Sequence, residues 1–107
     1  MSASIDSYYA VIFSNRLKAS AYDDGYEATA ARMVELAQQQ PGFLGVESAR
    51  DQSMGITISY WKDEASIKAW RNEAEHTVAR EMGRTKFYQN YHLRVARVER
   101  EYEFEAE

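Results

Sequence analysis

Residues 59–94 read SYWKDEASIKAWRNEAEHTVAREMGRTKFYQNYHLR. Tyr60-Trp61 close an alternating stretch, Asp63 stands where a helix would begin, and Trp70 falls inside that helix. Gly83 marks its expected stop, and Arg84, Tyr88, Tyr91 and Arg94 follow. A strand thus runs straight into a helix, and the helix into another strand. Aromatic rings, a histidine and several arginines gather at the joints.

Upstream, Gly55–Lys62 alternates Ile56, Ile58 and Tyr60 against Thr57, Ser59 and Trp61, the period-2 signature of a strand. Phe43–Arg50 is a second strand, and the polar turn Asp51-Gln52-Ser53 joins the two as a hairpin. Before it, Tyr26, Ala30, Met33 and Ala37 recur at helical spacing with Leu36 beside them. Asp24 with Glu27 has the spacing of a capping box, and Pro41-Gly42 cannot continue the helix. Tyr8–Leu17 is a strand apolar on both alternations, Tyr9, Val11 and Phe13 against Tyr8, Ala10 and Ile12. At the far end, Thr85–Asn90 is expected to form an extra turn and Tyr91–Phe104 the last strand.

The order strand, helix, strand, strand, helix, strand specifies an α+β, ferredoxin-like βαββαβ fold, an antiparallel sheet with both helices on one face. With 107 residues, no repeat and no linker, the chain reads as a single domain, 1–107. Helices cover one face only, yet the first strand is apolar on both. The uncovered face predicts a homodimer, two sheets closing into a dimeric α+β barrel, with the long last strand able to reach the partner.

Composition removes several function classes. Zero cysteines exclude disulfides, thiolate metal sites and a cysteine nucleophile. A net charge of −4 gives nucleic acid no general attraction, although Arg80, Arg84, Arg94, Arg97 and Arg100 cluster locally. The start MSASIDSYY shows no secretory signal, and the longest apolar run, Tyr8–Phe13, is too short for a bilayer. The expected setting is cytoplasmic, without membrane or nucleic-acid partners. His76 and His92 are isolated, so no metal site is expected.

Taken in order, Pro41-Gly42-Phe43 opening the second strand, Tyr60-Trp61 closing the third, and Glu64-Ala65-Ser66-Ile67-Lys68-Ala69-Trp70 on the following helix carry a resemblance. The chain from Tyr8 to Tyr102 is similar to the antibiotic biosynthesis monooxygenase family of dimeric α+β barrels. The segment His76–Tyr91, with Gly83-Arg84 and Tyr88, looks like one branch of it. That family includes cofactor-free oxygenases of polyketide quinols and haem-degrading enzymes, so the resemblance implies a fold more firmly than a reaction. Haem-degrading members carry an Asn on the first strand, a Trp on the second helix and a His ten residues later. Asn15 and Trp70 match, but the position ten after Trp70 is Arg80, and His76 lies about 120° around the helix from Trp70. This argues against haem.

The expectation is therefore a cofactor-independent monooxygenase acting on a small aromatic or quinol-like molecule, the rival being a non-catalytic dimeric small-ligand-binding or stress-response module. His76 is the candidate base, since imidazole titrates near neutrality, or else a helix histidine bonded to Glu73 or Arg80. Arg84 and Asn15 are candidate stabilisers of a substrate anion. Arg84 equally suits a helix C-terminus, and Asn15 the exit of its strand. Trp61, Trp70, Tyr88, Tyr91 and Arg94 are the candidate pocket residues, with both tryptophans also suited to the core. A buried Arg94 would need a carboxylate, Glu47 or Glu99. His92 reads as a surface or interface residue.

Overall fold

The computed structural model describes residues 7–81 and 87–107, and the side chains of all of these but 76–81. Its elements are β1 (Tyr8–Leu17), α1 (Tyr26–Gln38), β2 (Phe43–Arg50), β3 (Gly55–Trp61), α2 (Glu64–Glu81) and β4 (Tyr88–Val98). The strands form one antiparallel sheet in the order β2-β3-β1-β4, the ferredoxin-like arrangement expected from the element order. β1 is central and pairs on both sides. Ile12, for example, lies opposite Ile58 of β3 and Arg94 of β4.

The alternation of β1 divides the molecule. Its odd residues face the helices: Val11 (7% exposed) joins Ala37 of α1, Trp61 of β3 and Ile67 of α2 in the core, with Tyr9, Phe43 and Trp70 against them. Its even residues share the opposite face with Ile56, Ile58 and Tyr60. Among the described residues no helix lies on that side, and Ile56 is 39% exposed.

The helix ends depart in part from the sequence reading. At α1 the Asp24–Glu27 capping box does not form. Gly25 is the N-cap, in the left-handed conformation (φ 92°), and no side chain caps the helix. Glycine needs no Cβ there, so the chain can turn into the helix directly. At α2 the expected cap holds, with Asp63 Oδ1 accepting from the Ser66 N–H (2.8 Å) and the Ser66 hydroxyl (2.7 Å). Those bonds, hydroxyl first, hold the Asp63 carboxyl below the usual carboxylate range.

Three boundaries are corrected. β3 stops at Trp61, because the Lys62 N–H turns to the Gly42 carbonyl (2.8 Å). Residues 88–90 are strand, not turn, since Tyr88 pairs with Leu17 across a bulge; the rest of the expected turn, 85 and 86, and the helix stop at Gly83 lie outside the described residues. β4 ends at Val98, where β1 runs out of partners at Tyr8. Residues 99–107 are exposed and form no strand. No described helix is long and apolar enough to cross a membrane.

Gly42 also has φ positive, at 87°, and an added Cβ would lie 2.0 Å from Ser66 Oγ. Gly42→Ala is expected to cost at least the ~1–2 kcal/mol of a left-handed L-residue and to disturb the α2 cap, read as a lowered urea midpoint. Asp63→Ala should lower the melting temperature at neutral pH. Because the folded-state pKa is depressed, the wild type's advantage is full above the unfolded value of about 3.8 and fades as pH falls through the folded one, so the two melting curves should converge in acid.

Candidate functional site

The helix side of the sheet carries a row running across all four strands: Arg50 lies opposite Gly55, Gly55 opposite Asn15, and Asn15 opposite Tyr91. The hairpin fixes its first half. Asp51 closes the turn by accepting from the Ser53 N–H (2.7 Å), the Ser53 hydroxyl (3.0 Å) and the Met54 N–H (2.9 Å), which holds its own carboxyl low and puts residues 50 and 55 face to face. Gly55 has no side chain, so the Arg50 guanidinium lies across it. A Cβ at position 55 would stand 2.2 Å from Arg50 Nη2.

Arg50 thereby reaches Asn15, which is 3% exposed, and donates from Nη2 to Asn15 Oδ1. A guanidinium has donors only, so this contact fixes the Asn15 amide: its oxygen turns to Arg50 and its NH₂ points elsewhere as a donor. The Arg50 Cζ sits 5.5 Å from the centroid of the Tyr26 ring, a cation–π contact, with Nη2 3.5 Å from the Tyr26 hydroxyl.

Aromatic rings enclose this pair. Tyr26, the first residue of α1, meets Phe87 at 5.6 Å and Tyr88 at 6.1 Å between centroids. Phe13 meets Tyr88 at 5.4 Å and Tyr91 at 5.3 Å, and Tyr88 meets Tyr91 at 5.7 Å. The Lys18 N–H donates to the Phe87 carbonyl (2.8 Å), tying the end of β1 to the start of β4. Burial, and then the neighbouring Tyr26, push the Tyr88 phenol well above its ordinary range. Tyr88 therefore keeps its proton at neutral pH and can donate it in a hydrogen bond, but it is not a base.

Beside the rings, the helix side of β4 stays bare. Tyr91, Leu93 and Val95 are 44–47% exposed, opposite Asn15, Phe13 and Val11. This apolar floor ends at the Asn15–Arg50 pair. A groove of about 280 Å³ lies at the same end of the sheet, lined by Asn15, Tyr91 and Met54 and by Ser14, Arg16, Asn90 and His92, which alternate to the other face.

Of the candidate residues, Asn15, Tyr88 and Tyr91 come together. Trp61 and Trp70 do not join them. Trp61 pairs with Tyr9, six residues along β1 from Asn15 and so about 20 Å away. It is fully buried, stacks on Trp70 at 6.0 Å, packs against Phe43 at 5.5 Å, and donates to Ser59 Oγ (2.8 Å). Arg94 faces the opposite side of the sheet, since strand alternation separates it from Tyr91 and Leu93. It is exposed rather than buried, next to His92 Nδ1 (3.3 Å) instead of a carboxylate. Glu47 instead accepts from the Tyr60 hydroxyl, and Glu99 pairs with Arg97. The His76 side chain and Arg84 lie outside the described residues.

Arg50 and Tyr26 were not foreseen. Arg50 reads as the last residue of a strand and Tyr26 as part of a helix stripe. The available signal was the short hairpin, which sets an arginine opposite a glycine and so leaves it room to lie across the sheet. Among the described residues, no group of three His, Asp or Glu side chains could hold a metal ion.

The antibiotic biosynthesis monooxygenase family model matches residues 9–82. The uncharacterized protein YqjZ of Bacillus subtilis is 53% identical over 95 residues, covering 88% of this chain and 82% of YqjZ. A jasmonate monooxygenase of Pyricularia oryzae is 36% identical over 95 residues, covering 84% of this chain, which spans only 43% of that protein. Among solved structures, a mutant of SnoaB, a cofactor-independent oxygenase from Streptomyces nogalater, superposes with a TM-score of 0.68 at 15% identity, covering 91% of this chain and 97% of SnoaB. That likeness concerns the fold. Sequence and architecture agree, and the chain belongs to the antibiotic biosynthesis monooxygenase family.

Proposed function

We propose that the protein is a cofactor-independent monooxygenase whose small aromatic, quinol-like substrate lies on the β4 floor with an oxygen at the Asn15–Arg50 pair. The observation that carries this reading is the buried Asn15 amide, oriented by Arg50 so that its NH₂ is presented as a donor. The relative named as a jasmonate monooxygenase supports the reaction class.

The chemistry asks little of the protein. A base removes a proton from the substrate, and the negative charge delocalises onto a substrate oxygen. Asn15, the Arg50 charge and the Tyr88 hydroxyl would stabilise that oxyanion. The carbanion form gives its electron pair to dioxygen, forming a C–O bond and a peroxide that takes up a proton. Loss of a second substrate proton with hydroxide leaves a new carbonyl and one water. We assign the first proton abstraction to His76, a position on α2. The floor of Leu93, Val95 and Phe13 would offer a flat ring an apolar surface to lie on.

Three outcomes are expected in oxygen-consumption assays over a panel of quinols and phenols. Asn15→Ala should lower kcat about 10²- to 10³-fold, as loss of an oxyanion donor does elsewhere. Gly55→Ala should displace Arg50 from Asn15, lowering kcat and, because the buried Asn15 oxygen loses its donor, lowering the melting temperature as well. His76→Ala should abolish the dependence of turnover on a near-neutral ionisation. Turnover unaffected by Asn15→Ala would remove the proposed oxyanion site, and ligand binding across the panel with no oxygen uptake would instead identify a non-catalytic binding module.

A further inference from the structure

We infer that the groove at the Asn15 end of the sheet is a binding site for a small organic carboxylate, with its polar groups on the face away from the helices. β1 and β4 supply those groups in two facing pairs: Ser14 lies opposite His92, and Arg16 opposite Asn90. Side chains directly opposed across two strands stand about 5 Å apart, and same-face neighbours along a strand about 7 Å. The four residues therefore mark the corners of a rectangle that one carboxylate can bridge. Asn15 and Tyr91 fall between them in sequence and also border the groove, but the Asn15 amide oxygen is committed to Arg50.

The corner residues are rich in hydrogen-bond donors. A guanidinium carries five N–H groups and no acceptor. Arg16 uses Nη1 to donate to the Ser53 carbonyl (2.9 Å), which anchors its head beside the hairpin and leaves further N–H groups for a ligand. His92 Nδ1 lies 3.3 Å from Arg94 Nη2. Because Arg94 can only donate, Nδ1 accepts, and the ring hydrogen sits on Nε2 as another donor. Ser14 and Asn90 add a hydroxyl and an amide. Arg94, opposite Ile12 one row further along, places a second positive charge behind His92.

Negative charge to match is missing. Among the described residues no carboxylate forms an ion pair with Arg16 or Arg94. Asp51 feels the Arg16 charge, but its Oδ1 takes three bonds from the hairpin turn. Two cations among neutral donors suit an anion, and the planar guanidinium of Arg16 matches a carboxylate in particular. The remaining walls, Met54 and Tyr91, are apolar and suit a short hydrocarbon or aryl body. At about 280 Å³ the groove lies just below the size of ordinary ligand pockets, so the acid it takes is small.

The test follows benzoate binding to the whole chain by NMR, in buffer free of phosphate and other carboxylates. It needs no turnover, so its outcome is independent of the monooxygenase reading. Benzoate is expected to produce saturable shifts at Ser14, Arg16, Asn90 and the His92 ring. Arg16→Gln and His92→Gln, both at exposed positions, should each raise the benzoate Kd about tenfold, the loss of one hydrogen bond to a charged group. Arg71→Gln removes a positive charge from an exposed position of α2 and should leave the Kd unchanged. Benzamide, which has the shape without the charge, should not shift these residues. The absence of saturable shifts would overturn the proposal, as would shifts centred on Tyr26 and Tyr88. So would a Kd unmoved by both groove substitutions in folded protein, or inorganic phosphate binding at least as tightly as benzoate.

Discussion

The structure depends on the position of β1 at the centre of the sheet. Strands on both sides satisfy its backbone, and its side chains are apolar in both directions. The odd residues draw the helices down: Val11 anchors a core with Ala37, Trp61 and Ile67, and Asn15 continues the same face to the far end. Among the described residues the even ones have no helix to pack on, and they line the opposite face of the sheet with Ile56, Ile58 and Tyr60. Polarity changes along this one strand decide where the core ends and where a polar site can begin.

The site is built at the point where that core gives way to a single buried amide. Asn15 at 3% exposure needs a partner, and the partner comes from two strands away because Gly55 between them has no side chain. The rings of Tyr26, Phe87, Tyr88, Phe13 and Tyr91 then shield the pair from water, which strengthens the polar contact and holds the Tyr88 proton in place. The same shielding that stabilises the Asn15–Arg50 contact would strengthen its interaction with a substrate anion. Family membership is consistent with this use, and a fold shared by several chemistries leaves the site to decide among them.

The two tryptophans show how the same residue types divide by place. Trp61 and Trp70 stack at the opposite end of the sheet from Asn15, beneath the start of α2, where they are core. Arg94, one residue from Leu93 and three from Tyr91, faces the other way because a strand turns alternate side chains to opposite faces. Nearness in sequence to Tyr88 and Tyr91 gave no information about which face it would occupy until the register of β4 was known.

The element order, the β2–β3 hairpin, the cap at Asp63 and the two-sided β1 were legible in the sequence, because each rests on a local rule: period, turn chemistry, capping or alternation. Asn15, Tyr88 and Tyr91 could be nominated from residue type and resemblance. Their meeting was decided by the β1–β4 register, and the reach of Arg50 to Asn15 by the β1–β3 and β2–β3 registers together. Local pattern determined which strands and helices form. Long-range strand pairing decided which side chains share a face, since that depends on backbone hydrogen bonds between segments distant in the chain, as where Asn15 of β1 lies opposite Gly55 of β3 and Tyr91 of β4.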